Sequence, residues 1–376
     1  MQERLFFDKI KSQFANQLPF VAYSKPNSNN VTGLFQNNNQ LNFTETFTES
    51  GFVFAPFDDV SNAVLIPLEV SEKLQIEVDF EILEADFTDS KTITTENQEE
   101  VKSAYTALVT SAIQAIKSHA FEKVVLSREE LITVKDFNIV TVLKKLLVNY
   151  RRAFVYCWYH PQVGLWLGAT PETLLQIEGN RLTTMALAGT QVYKGTLEVD
   201  WGEKEIKEQQ YVIDFIQSQL KPVVNTVSVS KVNTVKAGSL LHLQTQISAI
   251  LQPETNLLNI VKALHPTPAV CGLPKANAKQ FILQNEGYNR SFYTGFLGEL
   301  NFKQRQTRNT NRRNVENNAY ATVKSATHLF VNLRCMQVKN STVSLYVGGG
   351  ITKDSNPEAE YLETEHKTQT MKTVLF

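Results

Sequence analysis

Two pairs of glutamates have the spacing that places carboxylates on one face of a helix. Glu205 and Glu208 lie three residues apart in GEKEIKEQ, and Glu360 and Glu363 lie three apart near Lys367. Side chains three or four residues apart are neighbours on a helix surface. Mg2+ is usually bound by one or two carboxylates together with waters and a substrate oxyanion. The two pairs therefore indicate either a divalent cation site or two solvated helix surfaces.

Four further side chains could move protons or bind an anion. Lys123 begins an apolar run, KVVL, so desolvation could make it a base, although a lysine whose ammonium reaches solvent shows the same pattern. Glu172, in GATPE, follows a predicted strand in a turn like a helix start, where it could be an acid or a cap. Arg334 lies in the apolar stretch VNLRC and needs an anionic partner, either a protein or a substrate carboxylate. His242 lies among leucines, where a hydrogen-bonded core histidine is the default.

A run of three glycines, Gly348 to Gly350, follows a predicted strand. Glycines let a backbone approach a ligand closely and present N–H groups to an anion, but a tight turn uses them too. The run lacks the Lys-Ser/Thr of a P-loop, so it does not by itself indicate a nucleotide.

The elements that must position these residues are read from hydrophobic periodicity. The helix over 97–120 has an apolar stripe at Val101, Ala104, Tyr105, Leu108, Ala112, Ile113 and Ile116. Other helices are predicted at the N-terminus and over 137–149, 203–220, 256–264, 275–284 and 357–373. Strands are predicted over 20–23, 52–56, 63–67, 123–134, 153–159, 164–167, 174–177, 223–235, 240–251, 293–302, 328–337 and 341–347. The Asn-rich segment 27–40 is predicted to be loop or hairpin turn.

The composition excludes several classes of protein. The chain has 376 residues, a formal net charge of −1 and three widely spaced cysteines. The number of cysteines is odd, and each lies in an apolar stretch of sequence. This pattern favours reduced thiols over a disulfide framework, and hence a cytoplasmic protein. There is no uninterrupted apolar run that could span a membrane and no signal-peptide pattern at the start. The charge argues against a nucleic-acid-binding protein, and the basic segment 303–327 is predicted to be an exposed hairpin connection, with an anionic partner as the alternative.

Ten ordered segments resemble the chorismate-utilising enzymes, and among them most closely the isochorismate synthases of menaquinone and siderophore biosynthesis. The segments are FEKVVLSR, GATPETLL, LAGT, GEKEIKEQ, LHLQTQI, LHPTPAVCGLP, YTGFLG, VNLRC, YVGGGI and ETEHK. They span residues 121–370, whereas residues 1–90 match no motif and are variable in the family. The resemblance implies an α+β fold like that of anthranilate synthase component I, with two large, mostly antiparallel sheets flanked by helices. We expect one domain over 1–376, with a catalytic core over 97–376.

The resemblance also implies an Mg2+-dependent isomerisation of chorismate, in which water adds at C2 and the C4 hydroxyl leaves. Lys123 matches the general base and Glu172 the general acid. Glu208 and Glu363 match the metal ligands, and Glu205 and Glu360 match positions that hold the metal's waters. The residues that match the substrate pocket are Gly189, Thr190, His242, Ala269, Tyr293, Arg334, Gly348, Gly349 and Lys367.

Three positions separate the relatives from one another. The ammonia-using relatives typically carry Gln in place of Lys123, and aminodeoxychorismate synthases a Lys in place of Ala188. Salicylate synthases typically carry Thr in place of Ala269. Salicylate synthesis is therefore the alternative to isochorismate synthesis, and this one residue separates the two. A non-catalytic protein that binds anions or nucleic acid through 303–327 is the remote alternative. We otherwise expect chorismate as the partner, no nucleic acid or membrane, and a monomer or weak homodimer.

Overall fold

The computed structural model describes residues 2–58, 60–85, 93–95, 98–238, 240–306 and 322–375. The α-helices are α1 (Gln2–Ala15), α2 (Phe80–Ala85), α3 (Gln98–Lys117), α4 (Ile139–Asn149), α5 (Glu203–Leu220), α6 (Leu257–Leu264), α7 (Lys275–Asn285) and α8 (Pro357–Leu375). The strands are β1 (Phe20–Ser24), β2 (Asn30–Gln36), β3 (Asn42–Phe43), β4 (Gly51–Ala55), β5 (Val64–Pro67), β6 (Ser71–Glu77), β7 (Ile93–Thr95), β8 (Lys123–Val134), β9 (Phe154–His160), β10 (Gly164–Thr170), β11 (Thr173–Glu178), β12 (Arg181–Val192), β13 (Val224–Val229), β14 (Asn233–Ala237), β15 (Leu240–Leu251), β16 (Gly272–Leu273), β17 (Phe296–Gln306), β18 (Thr322–Val331), β19 (Cys335–Lys339) and β20 (Thr342–Ile351).

The strands form two ten-stranded sheets. The first sheet has the order β16-β8-β20-β19-β10-β9-β1-β2-β6, with β7 beside β8. The second has the order β13-β15-β12-β11-β18-β17-β4-β5-β3, with β14 beside β15. Neighbouring strands such as β8 and β20, or β12 and β15, run antiparallel. The strands of the first 77 residues pair into both sheets, which confirms the predicted two-sheet α+β architecture.

An aromatic layer joins the two sheets face to face. Tyr23 and Phe154 of the first sheet pack in one cluster with Phe52 and Phe330 of the second. The rings of Phe154 and Phe330 stack with centroids 4.2 Å apart. Strands whose two faces are both buried read as continuous apolar runs, as FVYCWYH does in β9.

Helices cover the outer face of each sheet. Apolar residues of α1, α4 and α8 pack on the first sheet, and those of α5 and α6 pack on the second. A separate cluster joins α3, α7 and α8 to β8. The architecture is therefore four layers, helix–sheet–sheet–helix, in which α5 and α8 each carry one of the predicted glutamate pairs.

The segment 27–40 was predicted as loop or turn, and this is wrong for its centre. Strand β2 pairs with β1 on one side and β6 on the other. Val31, Leu34 and Phe35 are buried in it. The asparagines lie mainly at the ends of this strand, so the local composition concealed a strand that tertiary pairing stabilises.

Other element predictions also need correction. The strand predicted over 223–235 is two strands, β13 and β14, and the one over 328–337 is interrupted at 332–334, where Arg334 adopts φ +46°. The three glycines continue β20 rather than forming a turn. In α3, Ala104 is exposed and Val109 is buried, and α2 was not foreseen.

The basic segment 303–327 connects neighbouring antiparallel strands, since Gln306 of β17 pairs with Thr322 of β18. Residues 307–321, which hold three of its six lysines and arginines, lie outside the described residues. The three cysteines are free and buried, as predicted. Within the described ranges, no helix has the length and apolarity required to cross a bilayer.

Candidate active site

One cleft gathers most of the predicted site residues. Its walls come from the β10–β11 link, β12, α5, β15, the proline-rich loop before β16, β20 and α8, and its volume is about 880 Å3 including the open mouth. The predicted residues that line it are Glu172, Gly189, Thr190, Glu205, Glu208, His242, Ala269, Tyr293, Arg334, Gly348, Gly349, Glu363 and Lys367. Two predicted residues, Lys123 and Glu360, do not line it.

The glycines of β20 allow α5 and α8 to approach the sheet. A Cβ at Gly350 would lie 2.1 Å from Oε1 of Glu208, closer than real Cβ contacts come. A Cβ at Gly349 would lie 3.4 Å from a carboxylate oxygen of Glu360 and 3.5 Å from one of Glu363. Gly350 is therefore required by the carboxylate of Glu208, which occupies the space that a side chain would fill, whereas the carboxylates of Glu360 and Glu363 only border Gly349.

Lys123 is completely buried, which contradicts the picture of a lysine that reaches solvent. Its Nζ lies 2.7 Å from Oε1 of Glu208, at an angle that does not form a hydrogen bond. Glu208 lines the cleft, so Lys123 sits directly behind one of the residues of the wall. An ion pair this deep depends on its geometry, because neither charge is solvated by water.

Glu172 is 3% exposed and lies in the link between two strands, not at a helix start. Burial raises the pKa of its carboxyl to about 8, although the positive charge of Lys123 acts in the opposite direction. The carboxyl is therefore protonated at neutral pH. A protonated carboxyl in a cleft has the properties of a general acid.

Arg334 makes no ion pair among the described residues. Its Nη1 donates to the carbonyl oxygen of Ala237 at 2.8 Å, and its Nη2 lies 3.0 Å from Nε2 of His242. Burial lowers the pKa of the guanidinium to about 10, which still leaves it charged at neutral pH. A protein carboxylate was one of the two partners considered for Arg334, and the described structure supplies none.

His242 is held neutral beside this charge. Burial, reinforced by the nearby Arg334 and Lys367, lowers the pKa of the imidazole to about 3. Its Nδ1 lies 2.9 Å from the carbonyl oxygen of Gly189 and 3.5 Å from Oγ1 of Thr190. Because Arg334 can only donate, the hydrogen is assigned to Nδ1. His242 is thus hydrogen-bonded, as expected for a core histidine. Its partners, however, place it in the cleft.

The four glutamates are not assembled around one point. Glu208 pairs with Lys123, Glu360 pairs with Lys204 at 2.6 Å, and Glu363 pairs with Lys367 at 2.7 Å. Within the described ranges, no three histidine, cysteine, aspartate or glutamate side chains lie close enough to share a metal ion. The magnesium site expected from the sequence stays a prediction, and in the described structure lysines pair with three of its four glutamates.

Glu205 lines the cleft with its carboxylate near the start of its own helix. A Cβ at Gly202 would lie 2.6 Å from its Oε2, so this carboxylate folds back to the start of its own helix. There it compensates the positive end of the helix dipole. The remaining carboxylates still fit a hard cation by donor type, since oxygens of Glu360 and Glu363 border the same point beside Gly349.

Tyr293 and Lys367 complete the wall beside the glycines. The hydroxyl of Tyr293 would lie 3.1 Å from a Cβ at Gly348, and its ring stacks on that of Tyr346 with centroids 5.5 Å apart. Nζ of Lys367 donates to the carbonyl oxygen of Gly348 at 2.7 Å. A cation and a phenol thus stand next to the strand backbone, close to Arg334 in the same cleft.

Comparison with known proteins identifies the family. A family model described as "chorismate binding enzyme" matches residues 61–306, and a second model with the same description matches residues 319–373. The chain belongs to the chorismate binding enzyme family. The identification agrees with a cleft that holds a neutral carboxyl group, a wall of glycines and an arginine for which the described residues supply no ion pair.

Curated relatives of this chorismate binding enzyme include several isochorismate synthases. The chain is 28% identical to isochorismate synthase MenF of Haemophilus influenzae over 69% of its length, and 30% identical to MenF of Pasteurella multocida over 71%. It is 29% identical to the salicylate biosynthesis isochorismate synthase of Pseudomonas aeruginosa over 72%. These alignments cover 57%, 60% and 54% of the respective relatives, so the chain spans little more than half of their length.

Solved structures share the fold. MenF of Escherichia coli superposes with a TM-score of 0.74 and 20% identity, covering 95% of this chain and 89% of that one. Anthranilate synthase component I of Streptococcus pneumoniae superposes with a TM-score of 0.65 and 20% identity, covering 89% and 82%. The predicted component I-like fold is therefore confirmed.

Lys204 and Tyr346 are among the residues of the cleft of this chorismate binding enzyme that sequence reasoning missed. Lys204 lines it and pairs with Glu360, and Tyr346 lines it beneath Tyr293. Lys204 lies within the GEKEIKEQ segment, four residues before Glu208, so the one-face rule could have identified it. Tyr346 belongs to an apolar strand and carried no comparable signal.

Proposed function

We propose that this chorismate binding enzyme is an isochorismate synthase, which isomerises chorismate by adding water at C2 and expelling the C4 hydroxyl. The observation that carries the proposal is the buried, protonated carboxyl of Glu172 in a cleft backed by the buried Lys123–Glu208 pair. A reaction that protonates a departing hydroxyl while deprotonating a water needs an acid and a base in the same site.

Arg334 supports a carboxylate-bearing substrate. It is a half-buried cation that the described residues leave without an anionic partner, and a bidentate guanidinium–carboxylate pair would supply one. Lys367, Tyr293 and the backbone of Gly348 and Gly349 supply further donors around the same cleft. Chorismate carries two carboxylates, and these groups would bind and orient both.

Proton transfer is assigned to two residues. Lys123, in its neutral form, accepts a proton from the attacking water, and Glu172 gives its proton to the departing C4 oxygen, which leaves as water. One water enters and one leaves, so the reaction is a net isomerisation, and proton exchange with solvent restores both groups.

Glu208 and Glu363 would hold Mg2+, with Glu205 and Glu360 holding its waters. When bound, the ion would offset the charge of a substrate carboxylate among the glutamates. In the described structure a lysine pairs with each of Glu208, Glu360 and Glu363. On metal binding, the positive charge of the ion would replace that of the lysine ammonium beside the ligating carboxylate.

Ala269 favours isochorismate as the final product over salicylate. It lines the cleft in the proline-rich loop, and salicylate synthases typically have Thr there. The buried, free cysteines are consistent with a cytoplasmic enzyme, which we also propose.

The test is product analysis by chromatography after incubation with chorismate and Mg2+. Isochorismate as the main product supports the proposal. Salicylate with pyruvate would replace it by salicylate synthase, and anthranilate formed with ammonia would contradict the role of Lys123. Deleting residues 307–321 and retaining turnover would argue against the anion-binding alternative.

A further inference from the structure

A second cavity adjoins the catalytic cleft. Its volume is about 1170 Å3 including the open mouth, and it lies between the turn after α4, the end of β14 and the link that follows β10. Pro171 and Arg334 line both this cavity and the cleft. The two spaces therefore meet at the guanidinium that we assign to a substrate carboxylate.

The charged side chains that line this cavity are all cationic. Arg151, Arg152 and Lys236 are exposed at its rim, and Arg334 lies at its inner end. No aspartate or glutamate is among the described residues that line it. A cavity lined by one sign of charge concentrates ions of the opposite sign and raises their rate of association.

Two rim cations lie over aromatic rings, while Arg334 is fixed by hydrogen bonds. The guanidinium of Arg151 lies 4.4 Å from the ring centroid of Phe80, and Nζ of Lys236 lies 3.9 Å from that of Tyr193. Neither of these two cations forms an ion pair with a carboxylate in the part of the chain that the structure describes. The rim therefore keeps its positive potential in the folded protein.

Arg334 forms the boundary between the two spaces. Its Nη1 donates to the carbonyl oxygen of Ala237, in the turn that lines the cavity, while its Nη2 faces His242, which lines the cleft. A Cβ at Gly238 would lie 3.0 Å from Nη1. A glycine in this turn thus lets the guanidinium lie against the backbone, where an anion arriving from the cavity would meet it.

The other neighbouring cavity has a different charge pattern. It shares Lys204 and Glu208 with the cleft, and its lining mixes lysines with Glu122, Glu208 and Asp354. Acidic groups there would repel a dianion. Of the two cavities that adjoin the cleft among the described residues, the one at Arg334 is suited to anions.

We propose that the cavity lined by Arg151, Arg152 and Lys236 is an anion-capture subsite, through which a dicarboxylate substrate reaches Arg334. The inference rests on the proposed function for the identity of the substrate. Capture by the rim charges acts on association and not on chemistry. It should therefore change kcat/KM and leave kcat unaltered.

The test compares two double variants of equal charge change. Arg152→Gln/Lys236→Gln removes two rim charges and keeps Arg151 on Phe80. Lys221→Gln/Lys339→Gln removes two exposed charges elsewhere. Lys221 lies thirteen residues along α5 from Glu208, so about 20 Å away.

The rim variant is expected to lose about 10-fold in kcat/KM for chorismate at low ionic strength with kcat unchanged, and the loss should vanish near 0.5 M salt. The control should stay within about twofold of wild type. Equal kcat/KM in the rim variant, or a loss that persists at high salt, would overturn the subsite while the proposed function stands.

A second measurement does not depend on turnover. Inorganic phosphate is titrated with each protein, and the broadening of its 31P resonance is followed. Broadening by wild type and the control, but not by the rim variant, supports the subsite even if no chorismate is converted, a result that would refute only the proposed function. Equal broadening by all three proteins refutes the subsite.

Discussion

Nη2 of Arg334 and Nε2 of His242 lie 3.0 Å apart, and this contact decides which ring nitrogen of His242 carries the hydrogen. Arginine can only donate, so the imidazole accepts at Nε2 and carries its hydrogen on Nδ1, towards Gly189. The histidine is neutral because burial and the adjacent guanidinium both lower its pKa. Arg334 is consequently oriented without being neutralised, which leaves its charge for a substrate.

Replacing His242 tests this positioning role. His242→Leu removes the acceptor, so we expect KM for chorismate to rise about 10-fold, the loss of one hydrogen bond to a charged group, with kcat retained. His242→Gln can still accept and donate and should recover most of the affinity. Steady-state kinetics of both variants decide the matter, and an equal rise in KM for the two would contradict the role.

Glu172 is expected to give activity an alkaline limit. Its pKa is raised to about 8, so kcat should fall as the pH rises through about 8 and the acid is lost. Glu172→Gln should be inactive. A pH–rate profile of wild type without a limb in this range would refute the assignment.

The same shift predicts how stability depends on pH. The folded pKa lies above the unfolded value of 4.5, so the folded state binds the proton more tightly. The stability contributed by Glu172 is present below pH 4.5 and is lost as the pH rises to about 8, at up to about 1.4 kcal/mol per pH unit. In urea unfolding, the free energy of unfolding of Glu172→Gln should rise relative to that of wild type as the pH increases across this window. The exposed Glu198→Gln should show no such change.

Lys123 is expected to be indispensable for water addition. Lys123→Ala removes the proposed base, so turnover should be abolished while Mg2+ still binds through the glutamates. Calorimetric titration with Mg2+ separates lost chemistry from a lost metal site. Retained turnover in this variant would mean that another group acts as the base.

Gly350 is expected to be essential for the position of Glu208. In Gly350→Ala the new Cβ would fall 2.1 Å from Oε1 of Glu208, so the carboxylate must move. We expect Mg2+ affinity to fall about 10-fold or more, the range seen when support of a metal ligand is lost. Gly349→Ala makes only ordinary contacts of 3.4 Å and more and should have a smaller effect. Equal affinities in both variants would contradict the argument.

The Glu286–Arg290 pair is expected to stabilise the wall of the cleft. Both side chains are almost completely buried, 2.5 Å apart, and Arg290 also donates to the carbonyl oxygens of Val125 and Val270. Arg290→Met should lower the free energy of unfolding by about 3–5 kcal/mol, because it leaves a buried carboxylate unpaired.

Two controls accompany that variant in urea unfolding. The double variant Glu286→Gln/Arg290→Met should be less destabilised, since no unpaired charge remains. Lys9→Met breaks the exposed pair with Glu72 and should cost no more than about 1 kcal/mol. A loss as small for Arg290→Met as for Lys9→Met would show that burial does not govern this pair.

Local pattern was sufficient to predict most elements that carry the site. The strand 123–134 and the helix 203–220 have their predicted bounds, because apolar periodicity is a property of consecutive residues. The ordered motifs also indicated which residues would meet, and the cleft brings thirteen of the fifteen together. The motifs specify only the types of these residues and their order along the chain.

Only the tertiary structure decided how those residues are charged and paired. The burial of Lys123, the Lys123–Glu208 and Lys204–Glu360 pairs, and the lack of a carboxylate at Arg334 among the described residues all depend on contacts between segments distant in sequence. Strand β2 was concealed for the same reason, since its pairing with β1 and β6 outweighs its local composition. Desolvation and ion pairing are set by the neighbours that the fold supplies, and a single sequence does not contain those distances.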